Sequence, residues 1–348
     1  MRTVLKQIIP WVLLIVVLVK AQGARAASSG VGIGANEQRS RPMNDVAFSI
    51  QRSIAGGLNS SGAQALPSGD EVKKRIARAG KPTQKNVELT IIGDSISAGA
   101  LAGTRLGSPS PELIAGIVGA ILARDPGEFL NATLNPQAAY PDGEGSWSLR
   151  QQLITQYKIP ASSLTLSNES AAGRTMSSVT SSFAQRIKPA PSSKADQQVL
   201  LMLGSNDFCQ GKSPSDFLKT TSEALRHLNQ EFPKASFFIA AVPPIDQLKK
   251  LGPEPLLGQI SCESVQRLYC DRIYATNAAA IIQDYNEGLL SLVAEANRKQ
   301  AGSRYKFIGM PKDLTLDKSL LAADCFHPGV EGHKKLAATI APQMSGIK

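Results

Sequence analysis

Val87-Glu88-Leu89-Thr90-Ile91-Ile92-Gly93-Asp94-Ser95-Ile96-Ser97 runs from an apolar, β-branched stretch into a polar turn. Residues 87–92 have the composition of a buried strand that stops at Gly93. Gly93 permits a tight exit. Asp94 can hydrogen-bond the turning backbone, and Ser95 falls at the strand's carboxyl end. In an open α/β sheet, that edge is where ligands bind. Taken alone, the stretch is equally well explained as a turn serine without chemistry.

Outward from this stretch, strand-like runs recur at 164–167, 198–203, 236–242 and 305–308. Helical patterns lie between or after them, at 112–124, 146–157, 215–231, 275–298 and 329–342. Strands alternating with helices predict an α/β fold with a central parallel sheet covered on both faces. Two long irregular connections, 125–145 and 243–270, are rich in proline. Such loops serve either as lids and binding walls or as surface decoration.

Upstream, Arg2 and Lys6 precede an apolar run over 8–19, and Ala24-Arg25-Ala26 follows. This is the pattern of a secretory signal peptide over 1–26. The apolar run is short for a membrane span. Residues 27–85 read as a flexible arm rich in Gly and Ser. Short helices are expected within it around Val46, Ile50 and Ile54, and after the capping box that starts at Ser68. The catalytic domain is then 86–348. The expected location is extracytoplasmic, secreted or periplasmic.

The 348 residues carry a formal charge of +10. Loss of Arg2, Lys6, Lys20 and Arg25 with the leader removes four positive charges and leaves +6. That modest excess favours peripheral contact with anionic membranes or polymers. Nucleic acid is excluded as a partner, because no arginine-rich cluster interleaved with aromatics occurs. Four cysteines, Cys209, Cys262, Cys270 and Cys325, suggest two disulfides in an exported chain. Three pairings exist. The favoured one joins Cys262 to Cys270 across a short loop and leaves Cys209 with Cys325. No zinc-ligand spacing is present.

A serine nucleophile needs a base, an acid to orient that base, and donors for the oxyanion. Of three histidines, His227 reads as a surface residue of a helix and His333 as structural. His327 lies in Asp324-Cys325-Phe326-His327-Pro328, where Asp324 can fold back onto the ring within one turn. Gly204-Ser205-Asn206-Asp207 ends a second apolar run, and the carboxamide of Asn206 can donate to an oxyanion. Ser167-Asn168-Glu169-Ser170-Ala171-Ala172-Gly173 follows another strand, and Gly173 offers an unobstructed N–H. An ordinary Asn-Asp turn would account for Asn206 equally simply.

Together these stretches resemble the SGNH (GDSL) hydrolase family. Gly93-Asp94-Ser95, Gly173, Gly204-Ser205-Asn206-Asp207 and Asp324 through Pro328 match its four blocks in order. The resemblance implies a flavodoxin-like three-layer α/β/α sandwich. It also implies Ser95 as nucleophile, His327 as base and Asp324 as its orienting acid. The oxyanion hole would be the Ser95 and Gly173 N–H groups with the Asn206 side chain. No metal or organic cofactor is implied.

Within the family, Ser146-Trp147-Ser148, Asn206 to Cys209 and Asp324 to His327 resemble the phospholipase B-like branch. Residues 169–174 depart from it. Trp147 fits a core aromatic as well as an acyl-site residue. The expected function is an exported serine esterase, acting as a monomer on lipid or phospholipid acyl esters through an acyl-enzyme. A carbohydrate O-acetyl esterase and a non-catalytic adhesin or scaffold on the same fold are the competing readings. Of three Asn-x-Ser/Thr sites, Asn59, Asn131 and Asn168, the last is expected to lie too near the site to carry a glycan.

Overall fold

A computed structural model describes residues 86–104, 133–143, 145–188, 195–257, 260–299, 304–311 and 314–344. The chain divides into two units, Met1–Thr83 and Gln84–Lys348, and the described residues fall in the second. The expected leader, arm and 112–124 helix lie outside them, as do Asn59 and Asn131.

Five strands form one parallel sheet: β1 (Val87–Gly93), β2 (Leu164–Asn168), β3 (Asp196–Met202), β4 (Ser236–Ala240) and β7 (Tyr305–Ile308). Their order is β2-β1-β3-β4-β7. Every neighbouring pair is parallel, with Ile91 opposite both Asn168 and Leu200. β1 is therefore flanked by β2 and β3. The carboxyl ends of these three strands open at one edge, and the residues that follow them share it.

Alternation along the strands builds the two outer layers. On β3 and β4, Val199, Leu201, Phe237 and Ile239 face one way. They pack against α5 (Pro214–Glu231) and α7 (Ala278–Lys299). In that layer Phe217 and Tyr285 stack with ring centres 4.1 Å apart. Leu200, Met202, Phe238 and Ala240 face the other way, onto α2 (Leu149–Tyr157) and α8 (Val330–Ile340). Successive strand residues point to opposite faces. Near-continuous apolar strands thus feed two cores at once, which is the three-layer α/β/α sandwich expected from the sequence.

The helix ends follow from capping. Ser213 caps α5, with Pro214 in its first turn, and Ser148, rather than Ser146, caps α2. The shift costs the expected helix three residues because Ser148 Oγ, 3.4 Å from Gln151 N–H, ends the turn.

The connection 243–270 is a correction. It is not irregular but holds a 3₁₀ stretch (Ile245–Leu251), a small antiparallel pair, β5 (Pro255–Leu257) with β6 (Ile260–Ser261), and α6 (Cys262–Cys270). The expected disulfides are corrected with it. Cys262 and Cys270 close the two ends of α6, and eight residues of helix separate them by roughly 12 Å, beyond the reach of one disulfide. The observed pairs are Cys209–Cys270 and Cys262–Cys325. No helix among the described residues is long and apolar enough to cross a membrane.

Candidate active site

β1 delivers Ser95 to the sheet edge through a one-turn helix, α1 (Ser95–Ala98). Asp94 caps it, its carboxylate accepting from Ile96 N–H at 2.9 Å. The exit is too tight for any side chain at Gly93, where a Cβ would lie 2.3 Å from Ser97 Oγ. Ser95 N–H, in the first helical position, points out of the helix with the N-terminal partial charge.

A loop before α8 brings the imidazole. Ser95 Oγ lies 2.9 Å from His327 Nε2, although 232 positions separate them in the chain. His327 Nδ1 lies 2.6 Å from Asp324 Oδ2. Asp324 Oδ1 also accepts from the backbone N–H groups of Phe326 and His327, at 3.1 and 3.0 Å. A carboxylate at Nδ1 fixes the proton there and leaves Nε2 to accept from the Ser95 hydroxyl. Ser95, Asp324 and His327 are 6%, 0% and 1% exposed, so little water competes for these bonds. Burial acts to raise the Asp324 pKa. The His327 charge and the three hydrogen bonds outweigh it and hold the carboxyl below its ordinary range.

The remaining candidates arrive from the strands beside β1. α4 (Ser205–Cys209) follows β3 and carries Asn206. Its Nδ2 donates to Arg174 O at 3.1 Å, which fastens it to the turn after β2. That turn is tied to the end of β1, since Ala171 N–H donates to Gly93 O at 3.2 Å. Gly173 is exposed there with φ +73°, a left-handed backbone that suits glycine. One Nδ2 proton of Asn206 remains beyond its bond to Arg174. All five residues singled out from the sequence therefore belong to one connected edge.

The other candidates separate from it. His333 is buried in α8 and its Nδ1 accepts from Tyr140 N–H at 3.1 Å, a structural role as expected. Burial, with the nearby His327 charge, pushes its pKa down to about 3. His227 sits half-buried on α5 beside Arg226. Trp147 packs partly buried against the α2–α8 core and over Gly143, as a core aromatic. Asn168 donates to Ser97 O at 2.8 Å, so its amide nitrogen is already engaged beneath α1.

Two supports were not singled out from the sequence. Asp207 is fully buried, accepts from Met176 N–H at 2.8 Å and pairs with Lys212 Nζ at 2.6 Å. Tyr269 lies edge-on to the His327 ring, 5.4 Å between centres. The Asn206-Asp207 pair pointed to the first; nothing local pointed to the second. Among the described residues, no group of three His, Cys, Asp or Glu is arranged to hold a metal ion.

Residues 89–340 match the model of the GDSL-like lipase/acylhydrolase family. The chain belongs to this family. No curated protein matches its sequence significantly. Solved structures similar to it include a family two carbohydrate esterase from Clostridium thermocellum in complex with cellohexaose. The identity is 15% and the TM-score 0.43, over 76% of this chain and 65% of that one. The chain spans just under two thirds of that esterase's length. A lipolytic protein of the G-D-S-L family from Veillonella parvula is 14% identical, with a TM-score of 0.42 over 74% and 98% of the two chains. The psychrotrophic esterase EstA from Pseudoalteromonas is 12% identical, with a TM-score of 0.43 over 74% and 97%.

Asp94 gives the protein a pH signature. Burial pushes its pKa up to about 6, partly offset by the Ile96 N–H and the His327 charge. The folded state then holds a proton that the unfolded chain, with a carboxyl near 3.8, has released. Stability from this group is full below the unfolded value and is lost as pH rises through about 6. Asp94→Asn keeps a capping oxygen and cannot ionise. Relative to wild type, the variant should gain up to about 3 kcal/mol between pH 4 and 8, read from thermal unfolding at stepped pH.

Proposed function

We propose that Ser95, His327 and Asp324 act as nucleophile, base and orienting acid in carboxylic ester hydrolysis through an acyl-enzyme. The observation that carries the reading is the hydrogen-bond chain from Ser95 Oγ through His327 to Asp324. Ser95 Oγ attacks the ester carbonyl as its proton passes to His327 Nε2. Negative charge collects on the carbonyl oxygen, where the Ser95 and Gly173 N–H groups and the Asn206 amide donate. Collapse breaks the bond to the alcohol oxygen, which takes the proton from His327. Water then attacks the acyl-serine, gives its proton to His327, and the acid leaves as Ser95 recovers its hydrogen.

Lipid or phospholipid acyl esters are the substrates we favour. An apolar cavity near this edge is lined by Ile96, next to Ser95, and by Phe326 and Pro328, on either side of His327. Ile245, Leu248 and Leu336 extend its apolar wall. That lining suits an acyl chain and offers little to a sugar. The blocks shared with the phospholipase B-like branch point the same way. Two disulfides join all four cysteines, which suits export to an oxidising compartment. The test is a p-nitrophenyl series from acetate through butyrate and octanoate to palmitate. Rising kcat/KM beyond butyrate is expected. Turnover confined to acetate would overturn the lipid reading in favour of an O-acetyl esterase.

A further inference from the structure

α6 meets the His327 loop along one face. Cys262, Gln266 and Tyr269 are spaced four and three apart, so they fall on the same side of the helix. Cys262 is bonded to Cys325, in the middle of the Asp324-to-His327 loop. Gln266 is fully buried. Its Nε2 donates to Cys325 O at 3.1 Å and to Leu248 O at 3.0 Å. Its Oε1 accepts from Tyr274 O–H at 2.6 Å, so every bond to this amide is directed. The tethered residue needs holding, because Cys325 has φ +60°, a left-handed backbone that a side chain rarely adopts. At the third position, Tyr269 packs its ring 5.2 Å from Phe326 and edge-on to His327. At its far end α6 is bonded through Cys270 to Cys209, the last residue of the helix that carries Asn206.

We propose that Tyr269 and Gln266 are positioning residues that α6 presses against the Asp324–His327 loop. Gln266 holds the Cys325 peptide in its left-handed form, which lets Asp324 Oδ1 reach the N–H of His327. Tyr269 walls one side of the imidazole and keeps Nε2 directed at Ser95. Burial and the nearby Asp324 charge push its phenol pKa far upward, so the hydroxyl stays protonated in the neighbourhood of that carboxylate. The two disulfides hold the ends of α6 so that the base and the Asn206 helix are referred to one rigid element. This rests on the triad reading above.

The experiment compares full-length Tyr269→Leu, Tyr269→Phe and Gln266→Met with wild type on a p-nitrophenyl ester. Tyr269→Leu should lower kcat about 10- to 100-fold, the scale of a small misplacement, with little change in KM. Tyr269→Phe restores the ring and should recover most of kcat. It removes the polar hydroxyl from the neighbourhood of Asp324, leaving more of that charge to the imidazolium, so the acid limb of kcat/KM should move to higher pH. Gln266→Met should fall with Tyr269→Leu; if it does not fold, the Tyr269 pair decides. A folded Tyr269→Leu with wild-type kcat, together with an unmoved acid limb in Tyr269→Phe, overturns the proposal. So does a kcat loss that only tracks the folded fraction. A wild-type protein whose Ser95 reacts with a fluorophosphonate while Tyr269→Leu reacts as fast would sink this inference alone. Failure of wild-type Ser95 to react would sink the triad reading instead.

Discussion

His327→Ala should lower kcat by about four to six orders of magnitude while KM changes little. Among the described residues the imidazole is the base bonded to Ser95 Oγ, at 2.9 Å, and the site is nearly closed to water that might replace it. Without it, the Ser95 hydroxyl keeps its proton and is a poor nucleophile. The substitution also leaves Asp324 with its two backbone donors but no imidazole. Its carboxyl should then rise toward the ordinary range, and some stability should be lost. Near-ultraviolet circular dichroism separates loss of chemistry from loss of fold. Ser95→Ala should cost a similar factor, and the double variant should be hardly worse than either. Residues that act as one unit do not contribute additively. A double variant showing the product of the two losses would mean that they act in separate steps.

Asn206→Ala should lower kcat by about 10²- to 10³-fold. The amide has two N–H bonds. One is spent on Arg174 O, next to Gly173; the other is the donor proposed for the developing oxyanion. Alanine removes both. Asn206→Asp removes the donors and adds a negative charge where negative charge develops, so it should be at least as damaging. Because the interaction strengthens in the transition state, KM should move far less than kcat. Equal losses in binding and turnover would place Asn206 on the ground-state substrate instead.

Much of this was legible before any coordinates. The five strands show as runs of four to seven residues rich in apolar and β-branched side chains, and those over 87–92, 164–167 and 198–203 end in polar turns. Parallel pairing then sends Ser95, Asn206 and the Gly173 turn to one edge without further information. Asp324 and His327 are three apart, so their contact is local. Ser95 with His327 is not, and only the order of the blocks hinted at it.

Hidden from the sequence was α6. Nine residues after a proline-rich stretch are too few for a helical period to stand out, and Cys262 and Cys270 at its ends invite a local bridge. Its stability comes from partners more than fifty positions away, Cys209 and Cys325, and from Gln266, a polar residue that reads as surface. Pairings between distant segments are set by the finished fold. The same holds for Tyr269 against His327.

The central claim is that Ser95 is the activated nucleophile of this edge. Its most direct test is to treat the folded enzyme with a fluorophosphonate and locate the adduct by peptide mass spectrometry. A single phosphonyl group on Ser95, lost in His327→Ala, is the expected result. A folded, hydrolytically active enzyme that takes up no label, or takes it on a different serine, would contradict the account.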